Sequence, residues 1–185
     1  YILKKINRGH TIETAIKAIE ICKNNCLKID IHLMPDLPYS TPEKDIEMFK
    51  QVYTSDKYQP DQIKIYPCEV VPWTKIEKWH KEGTYKPYGE DKELITKVLQ
   101  YAMTECPPWI RLPRVIRDIP IEYIKAGNPY SNLRQMIYDT FEKENIHMLK
   151  NIQYFDVLRS DRSISGASLE ARVPFGDKDL IKYVM

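Results

Sequence analysis

Glycine is scarce in this chain. The 185 residues contain six, about half the usual share of roughly 7%. No glycine-rich loop that would cradle a nucleotide's phosphates is present. Cysteine is scarce too. The four, Cys22, Cys26, Cys68 and Cys106, are too few for a disulfide scaffold at this length, and a reducing, cytoplasmic setting is the simpler expectation. Neither sign of charge dominates: 28 Lys and Arg stand against 26 Asp and Glu, a formal net charge of +2. That excludes a globally basic nucleic-acid binder and leaves room for a local patch. No apolar run approaches the ~18 residues of a membrane span, so no membrane partner is expected. A nucleophile elbow, a His-Glu-x-x-His helix and internal repeats are also missing. No catalytic residue and no metal site is therefore assigned from the sequence. The opening Tyr1–Lys5 is neither a signal peptide nor an initiator methionine, and the close at Ile181–Met185 is apolar and abrupt. Both ends read as cuts inside a longer protein.

What is present is a chain able to build a core, with 43% hydrophobic and 29% charged residues. Ile12, Ala15, Ile16, Ile19, Cys22 and Cys26 recur at helical spacing behind Thr11, which predicts a helix over 11–27 with one apolar stripe. Residues 28–34 alternate, with Ile29, Ile31 and Leu33 opposite Asp30 and His32, a strand signal. Thr41-Pro42 opens a second helix, whose apolar side is Ile46, Phe49, Val52 and Tyr53. A strand at Gln62–Tyr66 follows, then helices over 74–82 and 91–103. A third strand over 109–115 is weakened by Pro113, and short helical stretches fall near 121–126 and 130–144. Alternation between periods of 3.6 and 2 is the α/β pattern. Three strands cannot close an eight-stranded barrel, but they suffice for part of one or for a small open sheet.

Two groups of residues carry chemistry. In an α/β protein both strand faces are usually covered, so Asp30 and His32 are polar intrusions. His32 reads either as a pocket residue or as a structural histidine satisfied by its neighbours. Lys64 and Tyr66 form a similar pair beside Ile63 and Ile65, and Lys64 suits a phosphate or carboxylate. His32, Lys64 and Tyr66 are therefore candidate cofactor-binding residues. Arg111, Arg114 and Arg117 recur every three residues, with Trp109 and Lys125 nearby. Arginine forks match phosphate oxygens and an adjacent aromatic can stack on a base, which makes Arg111, Arg114, Arg117 and Lys125 candidate RNA contacts. The plainer reading is surface charge paired with Asp118. Cys22 and Cys26 share a helical face, where core packing outweighs a two-thiolate metal site.

Several ordered stretches are similar to a known family. They are Asn7-Arg8-Gly9-His10-Thr11, His32-Leu33-Met34-Pro35-Asp36-Leu37-Pro38, Asp45-Ile46-Glu47, Lys64-Ile65-Tyr66-Pro67, Pro107-Pro108-Trp109, Arg114–Pro120 and Asn132-Leu133-Arg134. Over about 7–137 the chain resembles the catalytic subunit of the Elongator complex, a radical-SAM enzyme joined to an acetyltransferase-type domain. The resemblance implies an α/β fold: the C-terminal part of an incomplete (β/α) barrel over 1–146, with a poorly packed appendage over 147–185. In the family, S-adenosylmethionine, an iron–sulfur cluster and acetyl-CoA support modification of the wobble uridine of tRNA. The family's three-cysteine loop and its acetyltransferase domain have no counterpart in this sequence. No cofactor is therefore expected to be retained, and catalysis by this chain alone is not expected. tRNA is the implied partner. The rest of the barrel, self-association or another protein is expected to cover the open faces.

A second resemblance lies at the C-terminal end. Tyr154–Arg162 and Leu169–Asp177 resemble the synthetase domain of glutamine-dependent asparagine synthetase, and the implied motif residues are Glu170, Arg172 and Asp177. The family's Ser-Gly-Gly loop is absent, so 152–185 cannot make asparagine. Alternative readings of the whole are a fragment of asparagine synthetase (glutamine-hydrolysing) or a non-catalytic interaction module.

Overall fold

The computed structural model describes residues 1–116, 119–130 and 132–143. Its order is α1 (Ile2–Lys5), α2 (Ile12–Asn24), β1 (Asp30–Leu33), α3 (Pro42–Thr54), β2 (Gln62–Ile65), α4 (Lys75–Lys81), α5 (Lys92–Thr104), β3 (Arg111–Arg114) and α6 (Leu133–Lys143). Single 3-10 turns lie at Tyr88–Glu90 and Ile121–Tyr123. The strands form one parallel sheet in the order β1-β2-β3. This is an α/β fold with a sheet that does not close into a barrel. The expected appendage and the asparagine-synthetase-like stretch lie outside the described residues.

Local chemistry sets the helix starts. Thr11 accepts from the Thr14 N–H, Thr41 from Lys44, Thr74 from Glu77, and Asp91 from both Glu93 and Leu94. Each cap satisfies a donor that the first helical turn leaves orphaned. Pro42 stands in the first turn of α3, where its missing N–H costs nothing.

The core lies on one side of the sheet. Ile63 and Ile65 are fully buried, and Ile31, Leu33 and Leu112 pack around them against α3, α5 and α6. Phe49 and Val52 of α3 meet Val98 and Leu99 of α5 in the same cluster. One polar bond crosses it: the Tyr53 hydroxyl donates to the Ala102 carbonyl at 2.6 Å. Replacing Tyr53 by Phe is expected to cost about 1 kcal/mol of stability in a urea melt, the net worth of one such bond.

One expectation is corrected. The first helix stops at Asn24 rather than 27, and Cys26 lies beyond it, exposed, with φ 58°. The Cys26 N–H bonds to the Lys23 carbonyl at 2.9 Å and the Leu27 N–H to the Cys22 carbonyl at 3.0 Å. This paired closure needs a left-handed residue just past the cap, so Cys26 leaves the apolar stripe. Cys22 is only half-buried, and Ile19 is the one buried residue of α2. The third strand survives its proline because the bulge falls there. Gln62 pairs with Arg111 and Lys64 with Arg114, so two residues of β3 stand opposite one of β2. The Arg134 guanidinium of α6 then donates to the Leu112 and Pro113 carbonyls, each at 3.3 Å, and covers part of that strand's backbone.

Candidate functional site

Strand alternation turns Ile31, Leu33, Ile63 and Ile65 toward the helices and sends their neighbours to the opposite face. The register aligns that second face in two rows. Asp30, Gln62 and Arg111 form one, and His32, Lys64 and Arg114 the other. The bulge keeps Arg111 and Arg114 both in register with β2 despite their odd spacing. A polar, cation-rich sheet face results.

Its electrostatics are partly internal. The Lys64 ammonium lies 2.5 Å from the Asp30 carboxylate. His32 Nε2 is 3.9 Å from the same carboxylate, and its ring meets Tyr66 edge-on at 5.4 Å. His32 remains 54% exposed at the side chain, so these neighbours orient it without closing it off. Asp30 thus neutralises Lys64, and the unbalanced charge on the face belongs to the arginines. Arg114 is exposed; Arg111 is half-buried, with its Nε enclosed and no partner for it among the described residues. The Nε–H is therefore a donor without an acceptor, while the exposed Arg114 can donate to an anionic oxygen.

The structure brings together His32, Lys64, Tyr66, Arg111 and Arg114. It holds Lys125 elsewhere: the Lys125 N–H donates to the Val70 carbonyl at 2.8 Å, and its charge acts on Glu77 of α4. Trp109 is 62% exposed just before β3. Arg117, with Asp118, and the motif residues Glu170, Arg172 and Asp177 lie outside the described residues.

At the carboxyl end of β1, a buried polar knot fixes the loop that leaves this face. Asp36 has φ 65° and is almost fully buried. Its carboxylate accepts the N–H groups of Tyr88 (2.9 Å) and Gly89 (2.7 Å). Its own N–H donates to Asp45, and its carbonyl accepts the Tyr85 hydroxyl. Asp45, also buried, accepts from Ser40 and from the Tyr88 hydroxyl, each at 2.6 Å. Burial pushes the Asp36 carboxyl up to about 7 against the two N–H donors, with Asp45 and Glu90 adding repulsion. Asp45 is also raised by burial, and burial pushes the neighbouring Cys68 thiol up to about 12. Gly89 is required by contact rather than by torsion. A Cβ there would stand 2.7 Å from the Asp36 carboxylate and 3.4 Å from the Asn128 nitrogen.

In the sequence Asp36 and Asp45 stand in family-like stretches with no role assigned to either. Asp45 carried a signal: it lies four residues before Phe49, at the head of the apolar stripe of α3, where an acid is out of place unless it is bonded. For a metal cluster the residues do not fit. Among the described residues, no three His, Cys, Asp or Glu side chains converge as ligands. Cys68 and Cys106 are each buried, while Cys22 and Cys26 flank the end of α2.

Residues 60–143 match the Radical_SAM C-terminal domain family. The chain is 41% identical over 145 residues to the tRNA uridine(34) acetyltransferase of Methanocaldococcus infernus, covering 78% of this chain and 27% of that protein. It is 37% identical over 137 residues to Elongator complex protein 3 of Dictyostelium discoideum, covering 73% and 24%. The solved structure of the archaeal Methanocaldococcus infernus Elp3, with an N-terminal deletion, superposes with a TM-score of 0.74 at 40% identity. That match covers 79% of this chain and 34% of the solved one. The chain spans about a quarter of the length of the curated relatives it matches. Nothing in these comparisons supports the asparagine-synthetase resemblance. Over the stretch that these relatives share, the chain is homologous in sequence and structure to the Elongator catalytic subunit and tRNA uridine(34) acetyltransferase proteins of the radical-SAM family.

Proposed function

We propose that this chain supplies the C-terminal portion of a radical-SAM barrel in a tRNA uridine-modifying protein, and that it contributes RNA contacts rather than catalysis by itself. The observation that supports this most is the aligned polar face, where the bulge in β3 sets Arg114 beside Lys64 and Arg111 beside Gln62. The relatives' printed activity on tRNA uridine gives the substrate class. His32, Lys64 and Tyr66 then line the lumen side, and Arg111 and Arg114 offer forks to phosphate. S-adenosylmethionine, acetyl-CoA and an iron–sulfur cluster belong to the complete family protein.

The test is fluorescence anisotropy with a labelled tRNA at several salt concentrations. The wild-type chain is expected to bind with an affinity that falls as salt rises. The double variant Arg111→Ala, Arg114→Ala is expected to lose about tenfold or more at low salt and to flatten the salt slope by about 2, one unit per lost phosphate contact. Equal slopes for variant and wild type would remove the arginines from the interface.

A second reading rests on α2 and β1. Only Ile19 of α2 is buried, while Ile12 and Ile21 are 48% and 53% exposed, and β1 is an edge strand. Such a surface calls for a covering element, supplied by the rest of a barrel, by a second copy or by another protein. Among the described residues, no helix is long and apolar enough to cross a membrane.

A further inference from the structure

Trp73 is 91% exposed and holds a positive φ of 62°. Both features are unusual for a tryptophan, and together they are more so. The left-handed region strains a bulky residue and is normally given to glycine. A ring in water forgoes the burial that a tryptophan usually supplies. Outliers of this kind point to a function when the surrounding structure holds them in place. Here it does. The Trp73 N–H donates to Glu77 Oε2 at 2.8 Å, and Thr74 caps α4 by accepting from the Glu77 N–H at 3.2 Å. Glu77 is itself anchored by Lys81 at 2.6 Å. The turn is fixed while the ring is left free.

The ordinary structural role for Trp73 is not available. An apolar residue just before a helix cap commonly packs on the fourth residue of the helix. In α4 that residue is Lys78, whose side chain is 74% exposed and leans toward Glu82 at 3.8 Å. The second tryptophan of the segment, Trp79, packs instead on the small cluster of Val70, Tyr85 and Ala126. The helix that Trp73 precedes is rich in lysine. Lys75, Lys78 and Lys81 lie on α4, where the Lys75 ammonium sits 5.1 Å over the Trp79 ring, and the charge of Lys125 acts on Glu77. Glu77 and Glu82 are engaged by Lys81 and Lys78 of the same helix. An exposed flat ring at the head of a lysine-rich helix suits a planar, anionic polymer. A protein hot spot would need an apolar surround that this turn lacks.

We infer that Trp73 is a stacking platform for an unpaired base of the bound RNA, with Lys75, Lys78 and Lys125 flanking the strand's phosphates. This inference rests on the RNA reading above and places a second contact outside the sheet face. It accounts for Lys125, which the fold withholds from the arginine rows.

The test uses the full chain and two probes, a single-stranded 12-nucleotide RNA and a paired RNA duplex of the same length. Trp73→Gly removes the ring and relieves the strained torsion, so its melting temperature is expected to equal or exceed the wild type's. Its affinity for the single strand is expected to fall roughly 5- to 100-fold, and for the duplex far less. Trp73→Phe should restore much of the loss. Wild-type affinity for the single strand in Trp73→Gly would overturn the platform while leaving RNA binding intact. A wild-type chain that binds neither probe nor tRNA would overturn the RNA reading and this inference with it. An unchanged single-strand affinity with altered self-association in sedimentation would make Trp73 a protein contact and reject stacking.

Discussion

Asp45→Ala is expected to destabilise the folded chain by about 4 kcal/mol, among the largest single-residue effects in the molecule. The side chain is buried and accepts three donors: the Asp36 N–H at 2.7 Å, the Tyr88 hydroxyl and the Ser40 hydroxyl, each at 2.6 Å. Alanine leaves all three without an acceptor, in a place with little access to water. Each buried orphan donor costs about 1–3 kcal/mol, and hydroxyls that can reorient fall at the low end. The Asp36 N–H cannot reorient, because its φ of 65° is fixed by the loop. Asp45→Asn separates charge from hydrogen bonding. Its amide oxygen can serve Asp36 and Tyr88, and the Ser40 hydroxyl can rotate to accept from the amide nitrogen. It should cost only about 1 kcal/mol, a rearranged bond rather than a lost one. Urea melts of the three proteins decide the matter. Equal losses for the two variants would mean that the carboxylate's charge, not its geometry, holds the loop. A loss below about 1 kcal/mol for alanine would mean that water replaces the side chain.

The consequence is for the sheet face as much as for stability. Asp36 and Asp45 tie the segment after β1 to α3 and to the turn at Tyr88–Glu90. That segment follows His32, whose ring direction is set by Asp30 and Tyr66. A site built on strands keeps its geometry only if the loops at the strand ends are held, and here two carboxylates hold one of them.

Most of the elements were legible because each is announced locally. Thr11, Thr41, Thr74 and Asp91 are side-chain caps at four helix starts, and the alternation at 28–34 and 62–66 places the first two strands. Arg111, Lys64 and His32 were legible as polar residues on strands. That they form rows was not, because register depends on the β3 bulge, and one proline does not say on which side of it the pairing shifts. The sequence also cannot show that Asp30 claims Lys64, since the two are 34 residues apart. Lys125 looked like part of the arginine cluster by proximity in sequence, yet its backbone joins Val70. Cys26 fitted a helical stripe on spacing alone, and the left-handed closure after Asn25 removed it. Trp73 gave no periodic signal, being defined by a torsion and by a missing neighbour.

The pH dependence of folding should carry the signature of Asp36. Its carboxyl titrates near 3.8 when exposed and at about 7 in the fold. Between those values the folded chain binds the extra proton, so stability must fall as pH rises through the window and level off above it. Asp45, also raised by burial, acts in the same direction. Asp61, Glu13, Glu43 and Glu77 are lowered, and their contribution is lost only as pH drops below the ordinary carboxylate range. The two sets therefore act in different windows. From pH 4.5 to 7.5 the free energy of unfolding is expected to decline by up to about 4 kcal/mol, at about 1.4 kcal/mol per unit of displacement. Asp36→Asn cannot titrate. Whatever its overall stability, its profile across that interval should be nearly flat apart from the residue of Asp45. Urea melts at half-unit steps of pH give both curves. A wild-type profile as flat as the variant's would show that the Tyr88 and Gly89 N–H groups hold the carboxylate ionised despite its burial.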